Sequence, residues 1–519
     1  LQAARGEWEG FQVLVRSAVP IAGLDLAVSA FSGPDGAAIP AEAVQCYRQH
    51  QFEISRPSFR NDAFTPGWYP DGLIPFRHPL TGQPLPEARL RAVPFDLPAE
   101  QTHGFYLDVP VPETATAGEY HATVTLTAAD AVRVEVPVRL TVWGFTLPAV
   151  PSYQTAFGAP AKVLRQYITA REKEGKETAP ADWNAVEQQC ADLMARHRFN
   201  AAPAEDLAPT RQADGAFVFA AGLAERLAAH IDRYRLNAVQ VPHPIRAVKD
   251  PVAEADTLRA WFAAWDGFID TVQRPGVTFF VYLKDEPNDA DAYRYVQTWG
   301  RAIRALNTRV KIVVVEQTYP QDEAWGDLYG AVDIWCPLFP IFREESAVKR
   351  QALGEVVWTY TALAQRDPPT PWWATDQPLL NYRVPAWISW RYDIRGLLYW
   401  GSMAFWRQVE DPWNEPLTLD RSERNPKTIF HGEGSLLYPG RAAGYDGIAP
   451  SLRVKALRDG SEDYEYLAML RRAGRGDEAM RQVLTVARSW SDWERDPDAY
   501  QRVRQALAEM ILALPPATP

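Results

Sequence analysis

Short runs in which apolar and polar residues alternate fill roughly the first 150 positions. Phe11-Gln12-Val13-Leu14-Val15-Arg16, Tyr120-His121-Ala122-Thr123-Val124-Thr125-Leu126 and the run from Val134 to Val142 carry a period of two or an apolar run of strand length. That pattern predicts strands with one face buried. Pro137 directs its strand to an edge or a bulge, because proline cannot donate to a ladder. Short strands bounded by turns predict an N-terminal β-sandwich over residues 1–148. Between about 55 and 100 the chain is rich in Pro and Gly, as in Pro66-Gly67-Trp68-Tyr69-Pro70-Asp71. An irregular stretch of that length reads as a functional loop, and Trp68 becomes a candidate to reach a binding site.

Beyond a Pro148–Pro151 linker the pattern changes to apolar runs of strand length separated by stretches of helical period. Strands are predicted at 152–158, 197–202, 236–242, 277–284, 311–315, 332–336, 355–360 and 396–401. Val186, Cys190, Leu193, Met194 and His197 share one helical face, as do Trp261, Phe262, Trp265, Phe268 and Ile269. Eight buried strands with crossover helices predict a (β/α)8 TIM-type barrel over 152–445. From 446 to 519 the pattern is helical again, marked by Tyr464, Leu467 and Leu470 and then by Val503, Leu507, Met510 and Leu514. This predicts a helical segment packed on the barrel.

Composition narrows the classes. A net charge of −11 without a basic run argues against a nucleic-acid partner. No stretch of about 20 apolar residues suggests a membrane span. Cys46, Cys190 and Cys336 are far apart, give no disulfide framework and read as free buried thiols. His197, His230 and His243 lack ligand spacing, so neither metal nor cofactor is expected. No secretory signal is read, and opening at Leu1 rather than at methionine reads as a trimmed chain, which leaves the compartment open. The 19 Trp and 21 Tyr add flat apolar faces with polar edges, which suit the C–H face and hydroxyls of a sugar.

The strongest candidate chemistry is Val277-Thr278-Phe279-Phe280-Val281-Tyr282-Leu283-Lys284-Asp285-Glu286-Pro287. An apolar strand ends in two carboxylates, and in a barrel such ends form the active-site face. Consecutive strand residues point to opposite sides, so both acids share one pocket only if the pleat breaks, as Pro287 allows. Glycoside hydrolysis uses such a pair to protonate the leaving oxygen and to stabilise the sugar cation. The alternative is that Asp285 and Glu286 merely cap the helix beginning near Asp289. Glu316 and Asp376 offer a conventional second carboxylate for Glu286. Tyr319, Tyr360, Trp400, Trp406 and Trp413 follow later strands and are candidates to line a sugar pocket. Asn200 and His243 are candidates to bind sugar hydroxyls.

With those residues in view, the chain resembles domain-of-unknown-function family 4091, a bacterial group related to glycoside hydrolase family 123. The resemblance lies in Gly434-Ser435-Leu436-Leu437-Tyr438-Pro439-Gly440, Pro450-Ser451-Leu452-Arg453 and the run from Leu457 to Leu467. Gly6-Glu7-Trp8-Glu9-Gly10-Phe11-Gln12, Asp285-Glu286-Pro287 and Gly396-Leu397-Leu398-Tyr399-Trp400 also fit it. It implies an exo-acting, retaining β-N-acetylgalactosaminidase in which the 2-acetamido group of the substrate is the nucleophile. Glu286 is then the general acid/base, Asp285 orients the acetamide, and Tyr319 or Tyr360 donates to the acetamide oxygen. The implied partner is a glycan ending in β-linked N-acetylgalactosamine. A glycosidase with a conventional carboxylate pair and a non-catalytic glycan-binding protein are the competing readings. The signature around Leu457 reads as a structural element that fixes the C-terminal helices.

Overall fold

The computed structural model describes residues 1–129, 133–406, 409–415, 418–420 and 429–515. The period-two runs form two N-terminal sheets. One orders Gln2–Arg5, Arg133–Thr146, Gly118–Thr127, Ile21–Val28 and Phe95–Leu97, with two short strands at its margin; the other orders Trp8–Arg16, Thr102–Pro110, Gln45–Ile54 and Gly67–Pro75. Leu26, Val124 and Leu140 of the first share one apolar core with Phe105, Leu107 and Val109 of the second. The expected loop around Trp68 is instead the strand Gly67–Pro75, paired antiparallel with Gln45–Ile54. Two features reconcile its Pro and Gly with a strand. It ends the sheet, where Pro70 owes no donor on its free side, and a shift in pairing beside it leaves Gly72 against the ring of Trp413.

Seven of the eight strands expected in the second region are present. They are β1 (Gln154–Ala156), β2 (Ala238–Val241), β3 (Thr278–Asp285), β4 (Lys311–Val315), β5 (Ile334–Trp335), β6 (Val356–Thr361) and β7 (Gly396–Tyr399). They pair in parallel from β2 through β7 and on to β1, which makes a nearly closed barrel. The segment expected as a strand at 197–202 is not one. His197 still belongs to the end of the preceding helix, with its N–H on the carbonyls of Leu193 and Met194. Arg198 is left-handed at φ +61°, and Pro203 follows closely. Asn200 bridges the resulting gap: its Nδ2 donates to the Thr155 carbonyl (2.9 Å) and to Asn237 Oδ1 (2.8 Å), and its Oδ1 accepts from the Asn237 N–H (2.9 Å).

Ten helices surround and extend the barrel among the described residues: α1 (Pro160–Lys173), α2 (Trp183–Arg196), α3 (Leu223–Tyr234), α4 (Ala255–Val272), α5 (Ala290–Arg304), α6 (Glu344–Gln351), α7 (Leu380–Arg391), α8 (Leu452–Arg472), α9 (Gly476–Val486) and α10 (Pro497–Leu512). The predicted faces of α2 and α4 are the buried ones, apart from a half-buried Ile269. The signature helix α8 is buried nearly all round. It packs on α7 and α10, as expected of a C-terminal clamp. It also bolts the N-terminal sheets in place, which was not expected: Arg453 pairs with Asp71 (2.6 Å), and Lys455 and Arg458 both pair with Asp108 (2.6 and 2.7 Å). Cys190 and Cys336 are buried, Cys46 is half-buried, and all three are free. No helix of the described residues is long and apolar enough to cross a membrane.

Candidate active site

Strand β3 does not keep its register to the end. Tyr282 pairs with Val313, but Lys284 pairs with Val314 and Asp285 with Val315, so one extra residue is accommodated at Leu283. A one-residue slip exchanges the two faces of a strand. Phe280 and Tyr282 line the barrel interior with Val313 and Val315, while Val281 and Leu283 face the surrounding helices. The bulge therefore returns Asp285 to the interior face, where its Oδ1 accepts a hydrogen bond from the Tyr282 hydroxyl (2.7 Å). Glu286 then turns through φ +37°, a left-handed conformation that costs a non-glycine residue about 1–2 kcal/mol. Strain of this kind gathers at functional positions. The two acids are consecutive, exposed at the same strand end, and aimed by different devices.

Each acid is held by a tyrosine. The Tyr360 hydroxyl reaches from the end of β6 to donate to Glu286 Oε1. Burial, and then the negative charge of Glu286, push the Tyr360 hydroxyl far above its ordinary range; burial and Asp285 do the same for Tyr282. Both phenols thus stay protonated donors. The helix cap that competed with a catalytic role is supplied by another residue: Asp289 is the N-cap of α5 and accepts from the Ala292 N–H (2.8 Å). Asp285 and Glu286 are free of that task.

The other candidates divide. Trp400 continues β7 in extended conformation, two residues past Leu398, which lies in the barrel interior opposite Tyr360 in the ladder, and its half-buried ring also packs on the larger core. Its indole N–H donates to Glu433 (3.0 Å). Tyr319 is half-buried, with its hydroxyl on the Ile341 carbonyl (3.0 Å) and the Arg343 guanidinium 3.7 Å above its ring. Glu316 directly follows β4 and is buried, with Oε1 accepting from Tyr293 of α5 (3.1 Å). Burial pushes its carboxyl up to about 8, against the hydrogen bonds from Tyr293 and the Gln317 N–H and with Glu286 adding to the rise. A carboxyl at that value is mostly neutral near pH 7.

Several candidates are structural instead. Asp376 is buried and engaged by the Ser58 N–H (2.8 Å), the Ser58 hydroxyl (2.5 Å) and Asn61 (2.9 Å), so it ties the 55–66 segment to the barrel loop. Trp406 and Trp413 are core residues at 1% and 0% exposure, with their indoles on the carbonyls of Leu437 and Pro439. Asn200 is consumed by barrel closure. Trp68 is 58% exposed on the end strand of its sheet, and its neighbour across the ladder is Glu53. His243 accepts the Ile245 N–H at Nδ1 (3.0 Å), which leaves Nε2 to carry the proton toward the Tyr295 hydroxyl (3.1 Å). Burial lowers its pKa to about 4, so it is a neutral cap.

Three residues linked to these candidates by hydrogen bonds escaped sequence reasoning: Tyr282, Trp372 and Glu433. Tyr282 was passed over as one more apolar strand residue. Glu433 stands between two glycines in a segment whose fold no periodicity predicts; its flanking Gly432-Glu433-Gly434 pattern was the available signal. It is fully buried and accepts from Trp400, Trp372 (3.1 Å) and the Tyr399 hydroxyl (3.2 Å).

Residues 262–470 match the family model for the catalytic domain of glycoside hydrolase family 123. No curated protein matches the sequence. Among solved structures, a family 123 glycoside hydrolase from Clostridium perfringens, described in terms of glycolipid glycan hydrolysis, is 12% identical. The two overlap across 99% of this chain and 94% of that one with a TM-score of 0.64, a likeness of fold. A family 39 glycoside hydrolase from the gut symbiont Bacteroides cellulosilyticus is 10% identical over 84% of this chain and 80% of that one, at a TM-score of 0.33.

Proposed function

This chain is a glycoside hydrolase related to family 123, and from that premise we propose that it is an exo-acting, retaining β-N-acetylgalactosaminidase working by substrate-assisted catalysis. Glu286 is the general acid/base and Asp285 orients the acetamide. The observation that carries the reading is the bulge in β3, which turns Asp285 to the barrel interior beside a Glu286 held in a left-handed turn. The substrate is a glycan with a terminal β-linked N-acetylgalactosamine; the Clostridium perfringens relative is described in terms of glycolipid glycan hydrolysis. On this reading the barrel is a (β/α)8 barrel whose second strand is replaced by the Asn200 bridge. Its catalytic unit spans about 152–445.

The chemistry runs in two steps. Asp285 accepts the acetamide N–H, which raises the nucleophilicity of the carbonyl oxygen. That oxygen attacks C1 as the C1–O bond to the leaving group breaks, and Glu286 gives its proton to the departing oxygen. The result is a bicyclic oxazolinium ion whose N–H stays hydrogen-bonded to the Asp285 carboxylate. Water then attacks C1 from the face the leaving group vacated, Glu286 takes the water proton, and the acetamide is regenerated with net retention. A hydroxyl must hold the acetamide oxygen in line with C1. Tyr360 suits that task better than Tyr319, because its hydroxyl lies at Glu286 and can turn from that carboxylate to the acetamide, whereas the Tyr319 hydroxyl points to the Ile341 carbonyl. Trp400 provides the apolar face for the sugar ring.

A conventional carboxylate pair has less support. Asp376 is held by Ser58 and Asn61, and Glu316 is turned to Tyr293 and raised toward neutrality. A panel of aryl glycosides tests the assignment. Aryl β-N-acetylgalactosaminide should be turned over faster than the glucosaminide and far faster than sugars without a 2-acetamido group, and a thiazoline mimic of the oxazolinium ion should inhibit competitively. Turnover of a galactoside or glucoside with no effect of thiazoline would point to the conventional pair.

A further inference from the structure

Glu433 is a buried carboxylate with no role in the chemistry above. Gly432 and Gly434 flank it at φ +68° and +78°, and neither position tolerates a side chain. A Cβ at Gly434 would lie 2.5 Å from the ring of Trp400, and one at Gly432 would lie 2.2 Å from Thr375 Oγ1. The backbone is thereby wrapped under Trp400 with Glu433 turned inward. One carboxylate then anchors two indoles: Oε1 accepts from Trp400 (3.0 Å) and from the Tyr399 hydroxyl (3.2 Å), and Oε2 accepts from Trp372 (3.1 Å). Trp372 is itself wedged against Phe59 and Phe430, with ring centroids 5.8 and 5.7 Å away.

This arrangement is expensive for what satisfaction of donors would require. Trp400 is only half-buried, and water is within reach of such a donor. Burying a carboxylate whose hydrogen bonds come from neutral indoles and a phenol disfavours its charged form. Burial accordingly pushes Glu433 up to about 7, despite those three hydrogen bonds and the charge of Arg453. What the carboxylate adds beyond satisfaction is orientation: it fixes the plane of the Trp400 indole just past the end of β7, the strand that pairs with the Tyr360 strand β6.

We propose that Glu433 is a positioning residue that locks Trp400, and through Trp372 the adjoining wall, as the platform on which the sugar ring rests. The proposal rests on the functional reading above and specifies how its substrate face is held. Because a platform binds ground state and transition state alike, its loss should appear in KM rather than in kcat. In Glu433→Gln the amide nitrogen meets an indole donor, so one anchor is lost.

The test combines kinetics on aryl β-N-acetylgalactosaminide with a crystal structure of the variant. Glu433→Gln should raise KM roughly 10-fold, the loss of about one hydrogen bond to a charged group, with kcat within about 3-fold. Trp400→Phe should give a similar rise, and Glu433→Gln combined with Trp400→Phe should be no worse than Trp400→Phe alone. In the crystal the Trp400 indole of Glu433→Gln should be rotated or in two positions. An unmoved indole, or additive effects on KM, would overturn the proposal. If the wild type cleaves none of the panel, the functional reading fails, and the position of the indole still decides whether Glu433 holds it.

Discussion

Burial raises two acids behind the candidate site: Glu316, to about 8, and Glu433, to about 7. A carboxyl whose folded pKa lies above its unfolded value binds its proton more tightly when folded. Between about pH 4.5 and pH 8 the folded chain therefore holds more protons at these two groups than the unfolded chain. Their contribution to stability falls as pH rises through that window, and the penalty is complete above about 8. Melting temperatures measured at pH 5, 6.5 and 8 should show this, and Glu316→Gln should flatten the decline relative to wild type. An unchanged slope in that variant would mean that Glu316 ionises normally. At this scale the place of Asp285 and Glu286 at an exposed strand end was legible in the sequence, because two acids ending an apolar run before a proline are unusual. Glu433 was not, since its meaning depends on indoles 33 and 61 residues away. Trp406 and Trp413 were misjudged because position after a strand does not reveal which side of a loop faces the core.

The bulge in β3 is the element on which the proposed catalysis depends. A flat strand would pair Lys284, not Asp285, with Val315 and turn the acid toward α5. Inserting one alanine between Lys284 and Asp285 would put that alanine opposite Val315 and turn Asp285 to the other face, with loss of activity of at least about 100-fold while the circular dichroism spectrum stays that of the wild type. Full activity in a folded insertion variant would show that the acids work whichever face of β3 they leave. No pattern announced this feature: β3 is apolar on both faces, as strands of an enclosed parallel sheet are, so an extra residue leaves the hydrophobic pattern unbroken. The missing second strand was hidden for a related reason. Phe199 and Ala201 are buried as a strand would bury them, and only the left-handed Arg198 and the Asn200 side-chain bridge reveal that no ladder forms.

At the scale of the whole molecule, α8 joins parts that the sequence divides at 148–152 and 445–446. Asp108 of the second N-terminal sheet is fully buried between Arg458 and Lys455. Burial pushes its carboxyl up, but the charges of Arg458 and Lys455 outweigh that and hold it well below the ordinary range. A depressed folded pKa contributes stability above the unfolded value, and that stability is lost as pH falls below about 4. Asp108→Asn should strand the buried Lys455 and leave Arg458 only Asp459 (3.1 Å) and the more distant Glu462 (3.9 Å), and should destabilise the chain by about 3 kcal/mol, read by chemical denaturation. A change within error would mean that the cations find water or another acid. The helical signature around Leu457 was legible as structural, but its charged face gave no hint that the partners lie in the first 110 residues. Sheets, barrel and helices thus act together to hold one strand end in place, and what that strand end does is the central claim. Turnover of aryl β-N-acetylgalactosaminide by wild type, Asp285→Asn and Glu286→Gln, at matched melting temperatures, tests it most directly. The account predicts that each substitution lowers kcat/KM by at least about 100-fold; a rate near wild type in either variant would contradict it.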